Sequence, residues 1–150
     1  MDATQQEILE RLNASGKGTV LEALDISVVE ATKEKVVASM PISSKHLQLV
    51  GYLHGGVSVV LAETVASLAS VMNIDTARQM AFGLEINANH LRPKRDGQLF
   101  AVATPIHMGR TTHVWDVRIS DEKEKLICIS RCTVAVVDRP PDDGDPLFKK

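Results

Sequence analysis

The sequence predicts an α+β fold in which an antiparallel sheet of five to six strands wraps around one long central helix, with a short helix ahead of them. Three observations carry that expectation. Only Gly55 to about Met72 is both long enough and apolar enough to form a buried helix. From Met80 to Val137 the chain reads as strands joined by turns too short for the crossovers that parallel neighbours need. At 150 residues, 44% hydrophobic and 24% charged, the chain has the length and apolar content of one folded domain over 1–150. A domain of that size removes roughly 70% of its unfolded surface from water.

In chain order, Thr4 and Glu7 stand three apart before Ile8, Leu9 and Leu12, the spacing of a capping box that opens a helix. Gly16 and Gly18 end it. Val20 to Ile42 is rich in Val, Ile, Thr and Ser, and the polar run Thr32-Lys33-Glu34-Lys35 divides it into two strands. Pro41 marks the end of the second. An irregular stretch from Ser43 to Leu53 precedes the central helix. Four strands follow: Met80 to Arg92, Gln98 to His107, Thr111 to Ile119 and Leu126 to Val137. Pro93 to Gly97 is a turn with proline and glycine suitably placed, and Gly109 and Asp121 to Lys125 mark two hairpin connections. The segment Asp138 to Lys150, with three prolines and four aspartates, reads as a mobile tail.

Composition removes several function classes. Aromatic residues are 3% of the chain and the formal net charge is -2, so stacking platforms and a basic surface for nucleic acid are both lacking. The first ten residues, MDATQQEILE, lack the basic start and apolar core of a secretion signal. Cys128 and Cys132 lie four apart in a strand, hence about 13 Å apart on one face. That is too far for a disulfide, and two reduced, buried cysteines fit a cytoplasmic location. His46, His90, His107 and His113 show no metal-ligand spacing, so neither a metal nor a cofactor is expected. Alternation places His90 on the face of Ile86 and Ala88, as a core histidine.

Between His54 and Asp75 the only charged residue is Glu63. That acid and four serine or threonine side chains argue against a membrane span, as does the antiparallel pattern around the helix. A carboxylate inside a buried helix serves either an ion pair or a hydrogen bond to a hydroxyl such as that of Ser67, or else chemistry. At the helix start, Gly55 and Gly56 offer backbone N–H groups with no side chain in the way. They permit a tight turn, and they would also polarise a bound carbonyl oxygen. An oxyanion donor with a carboxylate base or nucleophile is the minimum apparatus for acyl transfer to water.

The run Gln48-Leu49-Val50-Gly51-Tyr52-Leu53-His54-Gly55-Gly56, followed by Leu61-Ala62-Glu63-Thr64, resembles the signature of hotdog-fold acyl-CoA thioesterases. Within them it is similar to the helix-glutamate branch, which includes 4-hydroxybenzoyl-CoA, 1,4-dihydroxy-2-naphthoyl-CoA and enterobactin-pathway proofreading thioesterases. Gly83 to His90 with Arg92-Pro93, and His107 to Thr112 with Val114-Trp115, extend the likeness over about residues 20 to 137. The resemblance implies that Glu63 is the nucleophile or general base and that the Gly55 N–H binds the thioester oxygen. It further implies that Gln48 and His54 orient the thioester, that Ser67 positions water or Glu63, and that Arg92, Arg110 and Thr111 contact the CoA portion. Arg110 stands where the family often has serine.

The expected activity is hydrolysis of an acyl-CoA with an aromatic or other compact acyl group. The alternatives are a carrier-protein thioester as substrate, or a non-catalytic acyl-CoA-binding module. A hydratase is disfavoured because no DxNPxH segment is present. Helix geometry adds an expectation about assembly. Gly55 and Glu63 are eight residues apart, about 12 Å along a helix axis, so one thioester carbon cannot meet both from the same chain. A homo-oligomer with sites shared between subunits follows, as a dimer or a dimer of dimers.

Overall fold

A computed structural model describes residues 3–141. Helix α1 spans Ala3–Ser15, a helical turn α2 spans Val20–Ala23, and strands β1 (Ser27–Ala31) and β2 (Val36–Pro41) follow. After a 3-10 turn at Ser44–His46 comes α3, Gly55–Val71. Strands β3 (Gln79–His90), β4 (Gln98–Met108), β5 (Thr112–Asp121) and β6 (Leu126–Asp138) complete the chain. The six strands form one sheet in the order β1-β2-β4-β5-β6-β3, and every neighbouring pair is antiparallel.

The sheet wraps α3, as the sequence predicts. Ser58, Leu61, Ala62, Val65, Ala66, Ala69 and Ser70 are the buried residues of the helix. They meet a core that includes Met40, Leu99, Trp115, Val117, Cys132 and Val134. Small residues on both sides, Ala62 and Ala66 on the helix and Ala38, Ala101 and Ala103 on the strands, let backbone approach backbone. Trp115 is fully buried, and its indole N–H donates to Ser70 Oγ at 2.8 Å, which ties β5 to the end of the helix. Cys128 and Cys132 are free and buried on the same side of β6. Burial pushes the Cys132 thiol up to about 12, which keeps it an inert apolar filler.

The two edges of the sheet differ. Along β1 the backbone is covered by α1: Asn13 receives the Val28 N–H at 2.9 Å and donates to the Val28 carbonyl at 2.9 Å. The other edge, β3, is twelve residues long and carries Phe82 at 53% and Leu84 at 67% exposure. A long uncovered edge with apolar side chains is a surface ready to pair.

Three expectations need correction. Val20 opens a helical turn, not a strand, because Thr19 caps it through the Leu21 N–H. Positive φ values at Gly18 and Asp25 bracket that turn, and β1 begins only at Ser27. Thr4 lies inside α1 and not ahead of it. The tail begins later than Asp138: that residue ends β6, and the Arg139 N–H donates to the Arg78 carbonyl at 2.7 Å. Residues 142–150 of the expected tail lie outside the described residues.

Among the described residues no helix is long and apolar enough to cross a membrane, and no cluster of His, Cys, Asp and Glu could hold a metal.

Candidate active site

The start of α3 is built by His54. Its Nδ1 accepts the Gly56 N–H at 2.9 Å, and its carbonyl accepts from Val57 at 3.0 Å and Ser58 at 3.4 Å. The imidazole therefore carries its proton on Nε2 when neutral. With those three donors occupied, the Gly55 N–H is the first-turn group with no protein acceptor among the described residues. It sits at the positive end of a helix of 17 residues.

Two neighbouring segments complete this end. The Gln48 loop turns back through Gln48 N–H to the Tyr52 carbonyl at 2.7 Å, with Gly51 at φ 81°. The Leu53 N–H donates to the Lys94 carbonyl at 2.7 Å, fastening that loop to the 93–97 turn. The turn is anchored in its turn by Lys94 Nζ, which reaches Glu122 at 2.9 Å and Asp121 at 3.3 Å. The ammonium beside it pulls Glu122 down to about 2. Arg95 lies over the Tyr52 ring, 4.1 Å from its centroid. A cavity of about 330 Å³ results, lined by Gln48, Tyr52, Gly55, Ser58, His90 and Arg92, among others.

His90 is the residue that sequence reasoning misplaced. It shares a face with Ile86 and Ala88, as alternation requires, but it is exposed. The strand runs past the core there, and the ring lies over the helix start: a Cβ on Gly55 would come within 2.8 Å of His90 Nε2. Alternation gives the face of a residue and not its depth.

Glu63 occupies a second, separate cavity of about 420 Å³ with Val20, Leu21, Val60, Thr64, Ser67 and Leu68. In the single chain it is half-buried, where the sequence suggested full enclosure. No ion pair and no hydrogen bond to Ser67 holds it among the described residues, so neither structural role proposed for a lone acid is met. Its carboxyl group instead lies against Gly83 of β3. Gly83 is a second residue that motif spacing did not single out.

The structure also separates the three residues expected at the CoA portion. Arg92 is exposed near the start of β6, its Nη1 donating to the Leu126 carbonyl at 2.6 Å. Arg110 and Thr111 form the tip of the β4–β5 hairpin, where the Thr111 carbonyl receives the Val136 N–H at 2.9 Å. Leu126 and Val136 are ten residues apart on one strand, about 33 Å. Within one chain, Arg92 belongs to the Gly55 end, whereas Arg110 and Thr111 belong to the opposite end. Behind that hairpin His113 is buried edge-on to Trp115, with its Nδ1 unpartnered among the described residues. Burial holds its pKa below the ordinary value, against a weaker upward pull from the Gly109 backbone.

An apolar helix clasped by a six-stranded antiparallel sheet is the frame of a hotdog fold, and here, among the described residues, it carries a bare N–H at its start and an unpaired carboxylate two turns on. Residues 50–128 match the Thioesterase superfamily. A 1,4-dihydroxy-2-naphthoyl-CoA hydrolase of Listeria monocytogenes is 50% identical over 115 residues, covering 77% of this chain and 93% of that protein. A 1,4-dihydroxy-2-naphthoyl-CoA hydrolase of Escherichia coli is 43% identical over 129 residues, covering 86% and 94%. The crystal structure of a mutant of thioesterase PA1618 from Pseudomonas aeruginosa superposes with a TM-score of 0.85 at 50% identity, covering 87% of this chain and 94% of that one. The chain belongs to the thioesterase superfamily and is an enzyme of the thioester-hydrolase class.

Proposed function

We propose that the protein hydrolyses an acyl-CoA thioester to the free acid and CoA, at sites that two chains build together. The observation that carries this reading is the division of the apparatus. Gln48, Gly55 and Arg92 line one cavity, and Glu63 and Ser67 line another. The uncovered β3 edge supplies the seam. If two chains pair edge to edge through β3 about a twofold axis, the antiparallel arrangement brings the Gly55 end of each to the Glu63 end of the other. Arg92 of one chain then approaches the Arg110–Thr111 hairpin of its partner, so one CoA can meet all three residues.

The thioester oxygen is held by the Gly55 N–H and the helix dipole, which stabilise the negative charge that develops on it. Gln48 orients the thioester, while His54 acts through the helix start that its ring caps. The partner's Glu63 works in one of two ways. As nucleophile it bonds to the carbonyl carbon, the C–S bond breaks, CoA leaves as the thiolate, and water then cleaves the acyl-glutamyl anhydride. As general base it takes a proton from a water held near Ser67, the hydroxide adds to the carbon, and the tetrahedral adduct collapses with cleavage of the C–S bond and departure of CoA as the thiolate. Both routes consume one water and give a carboxylate, a thiol and a proton. The aliphatic walls beside Glu63, Leu21, Val60 and Leu68, suit a compact or aromatic acyl group.

The test is hydrolysis over a panel of aromatic and aliphatic acyl-CoAs and an acyl carrier-protein thioester, read as released thiol. Turnover of CoA esters is expected. Binding without turnover on any of them would contradict the proposal.

A further inference from the structure

We propose that Gly83 is a positioning residue for the Glu63 carboxylate, its missing side chain forming the seat in which the carboxylate rests. The inference depends on the reading of Glu63 just given. Gly83 lies within β3, and its backbone is not in the left-handed region that would call for glycine on conformational grounds. What requires glycine is space. A Cβ built there would overlap Glu63 Oε1 outright and stand 2.9 Å from Cδ and 3.3 Å from Cγ, and these three are its nearest neighbours. A glycine in a strand often marks such a close approach.

The strand is also irregular at this point. Gly83 pairs with Val134 and Glu85 with Thr133, so Leu84 is an extra residue in a bulge. Gly83 and His90 are seven apart and would face opposite sides of an unbroken strand. The bulge resets the alternation, so that Gly83 meets Glu63 of α3 while His90 meets Gly55 at the start of the same helix, and Ala81, Ile86 and Ala88 all pack against the core. One irregularity thus presents a carboxylate seat and the ring over Gly55 from a single strand.

The consequence of Gly83→Ala follows from which atoms must yield. They are the far end of a flexible, half-buried side chain, so the fold tolerates the methyl group and the carboxylate moves instead. Restoring ordinary contact displaces the overlapping oxygen by more than an ångström, and a misplacement of about that size can cost on the order of a hundredfold in rate. Gly83→Ala is expected to lower kcat at least tenfold while KM, the melting temperature and the assembly state stay at wild-type values. Glu63→Asp withdraws the carboxyl group by one methylene and empties the seat. Adding Gly83→Ala to Glu63→Asp should therefore cost less than threefold.

Glu63→Gln, measured in parallel, reports separately on the carboxylate's own role. A Gly83→Ala enzyme within threefold of wild-type kcat, beside an inactive Glu63→Gln, overturns the positioning role and leaves the role of Glu63 intact. So does an equal loss from Gly83→Ala in the Glu63 and Glu63→Asp backgrounds. A lowered melting temperature or altered assembly accompanying the lost activity would assign Gly83 to the backbone instead. Full turnover by Glu63→Gln overturns the reading of Glu63, and the seat with it.

Discussion

Glu63→Gln separates charge from shape, because the amide has the length of the acid and can occupy the same place against Gly83. Among the described residues Glu63 has no ion-pair partner, so the substitution strands no cation in the core. Stability should therefore change little, within the roughly 0.5 kcal/mol typical of substitutions away from packed features. Activity should change far more. A base or nucleophile contributes about a hundredfold or more to the rate, equivalent to about 2.7 kcal/mol in the barrier. The Gly55 N–H is untouched and accounts for what remains. Stopped or continuous thiol-release assays give kcat, and calorimetric binding of a non-hydrolysable thioether analogue of the substrate gives affinity. The expected result is a hundredfold lower kcat with affinity and melting temperature unchanged. Turnover within a few fold of wild type would refute the assignment, and a fall in stability matching the fall in activity would show that the residue is structural.

Arg92→Ala should raise KM for CoA esters, more in low salt than in high, because a solvent-exposed guanidinium acts on phosphate through a screened field; a KM unchanged from wild type at low salt would remove Arg92 from the site. His113 is held below its ordinary value of 6.5 by burial, so on acidification the unfolded chain takes up a proton that the folded chain resists. Stability should decline as pH falls below about 6.5 toward the folded pKa, and His113→Phe should flatten that part of the melting-temperature profile. Glu122 is depressed from 4.5 to about 2, so its contribution is present above pH 4.5 and is lost as the pH falls toward 2. Lys94→Met, which removes the largest cause of that depression, should reduce the acid dependence, the backbone N–H groups of Glu122 and Gln98 holding the remainder, and should loosen the Gln48 loop, measurable as faster amide exchange at Gly51 and Leu53.

The central helix was legible because an uncharged run broken by one acid admits few other readings, and its observed span, Gly55–Val71, stops one residue short of the expected end. The strands from residue 79 onward agree to within one or two positions, because their turns carry proline, glycine or a polar run. Val20–Ala23 was misread because β-branched composition outweighed a threonine cap. At the site, spacing along α3 placed Gly55 and Glu63 on one helix and separated them. Depth and distance between elements were beyond it. Nothing local reveals that His90 passes the end of the core, that Gly83 has the Glu63 carboxyl group against its Cα, or that Arg92 and Arg110 lie at opposite ends of the sheet. Each depends on register across β3, β6 and β5, and the bulge at Leu84 shifts that register by one residue.

The claim that each site takes Gly55 from one chain and Glu63 from another is tested most directly by mixing two inactive variants. Glu63→Ala lacks the carboxylate. Gly55→Pro lacks the N–H but can still begin a helix, and His54 already has the extended backbone that a following proline prefers, φ -71° and ψ 126°. The exposed His90 ring must move aside for the proline, so the variant is first shown to fold and to assemble. Co-refolded in equal amounts, the chains give mixed dimers with one doubly damaged site and one intact site. Half the dimers are mixed and half their sites are intact, so activity should recover to about a quarter of wild type. No recovery, with chain exchange demonstrated by differently tagged subunits, would show that the sites are not shared.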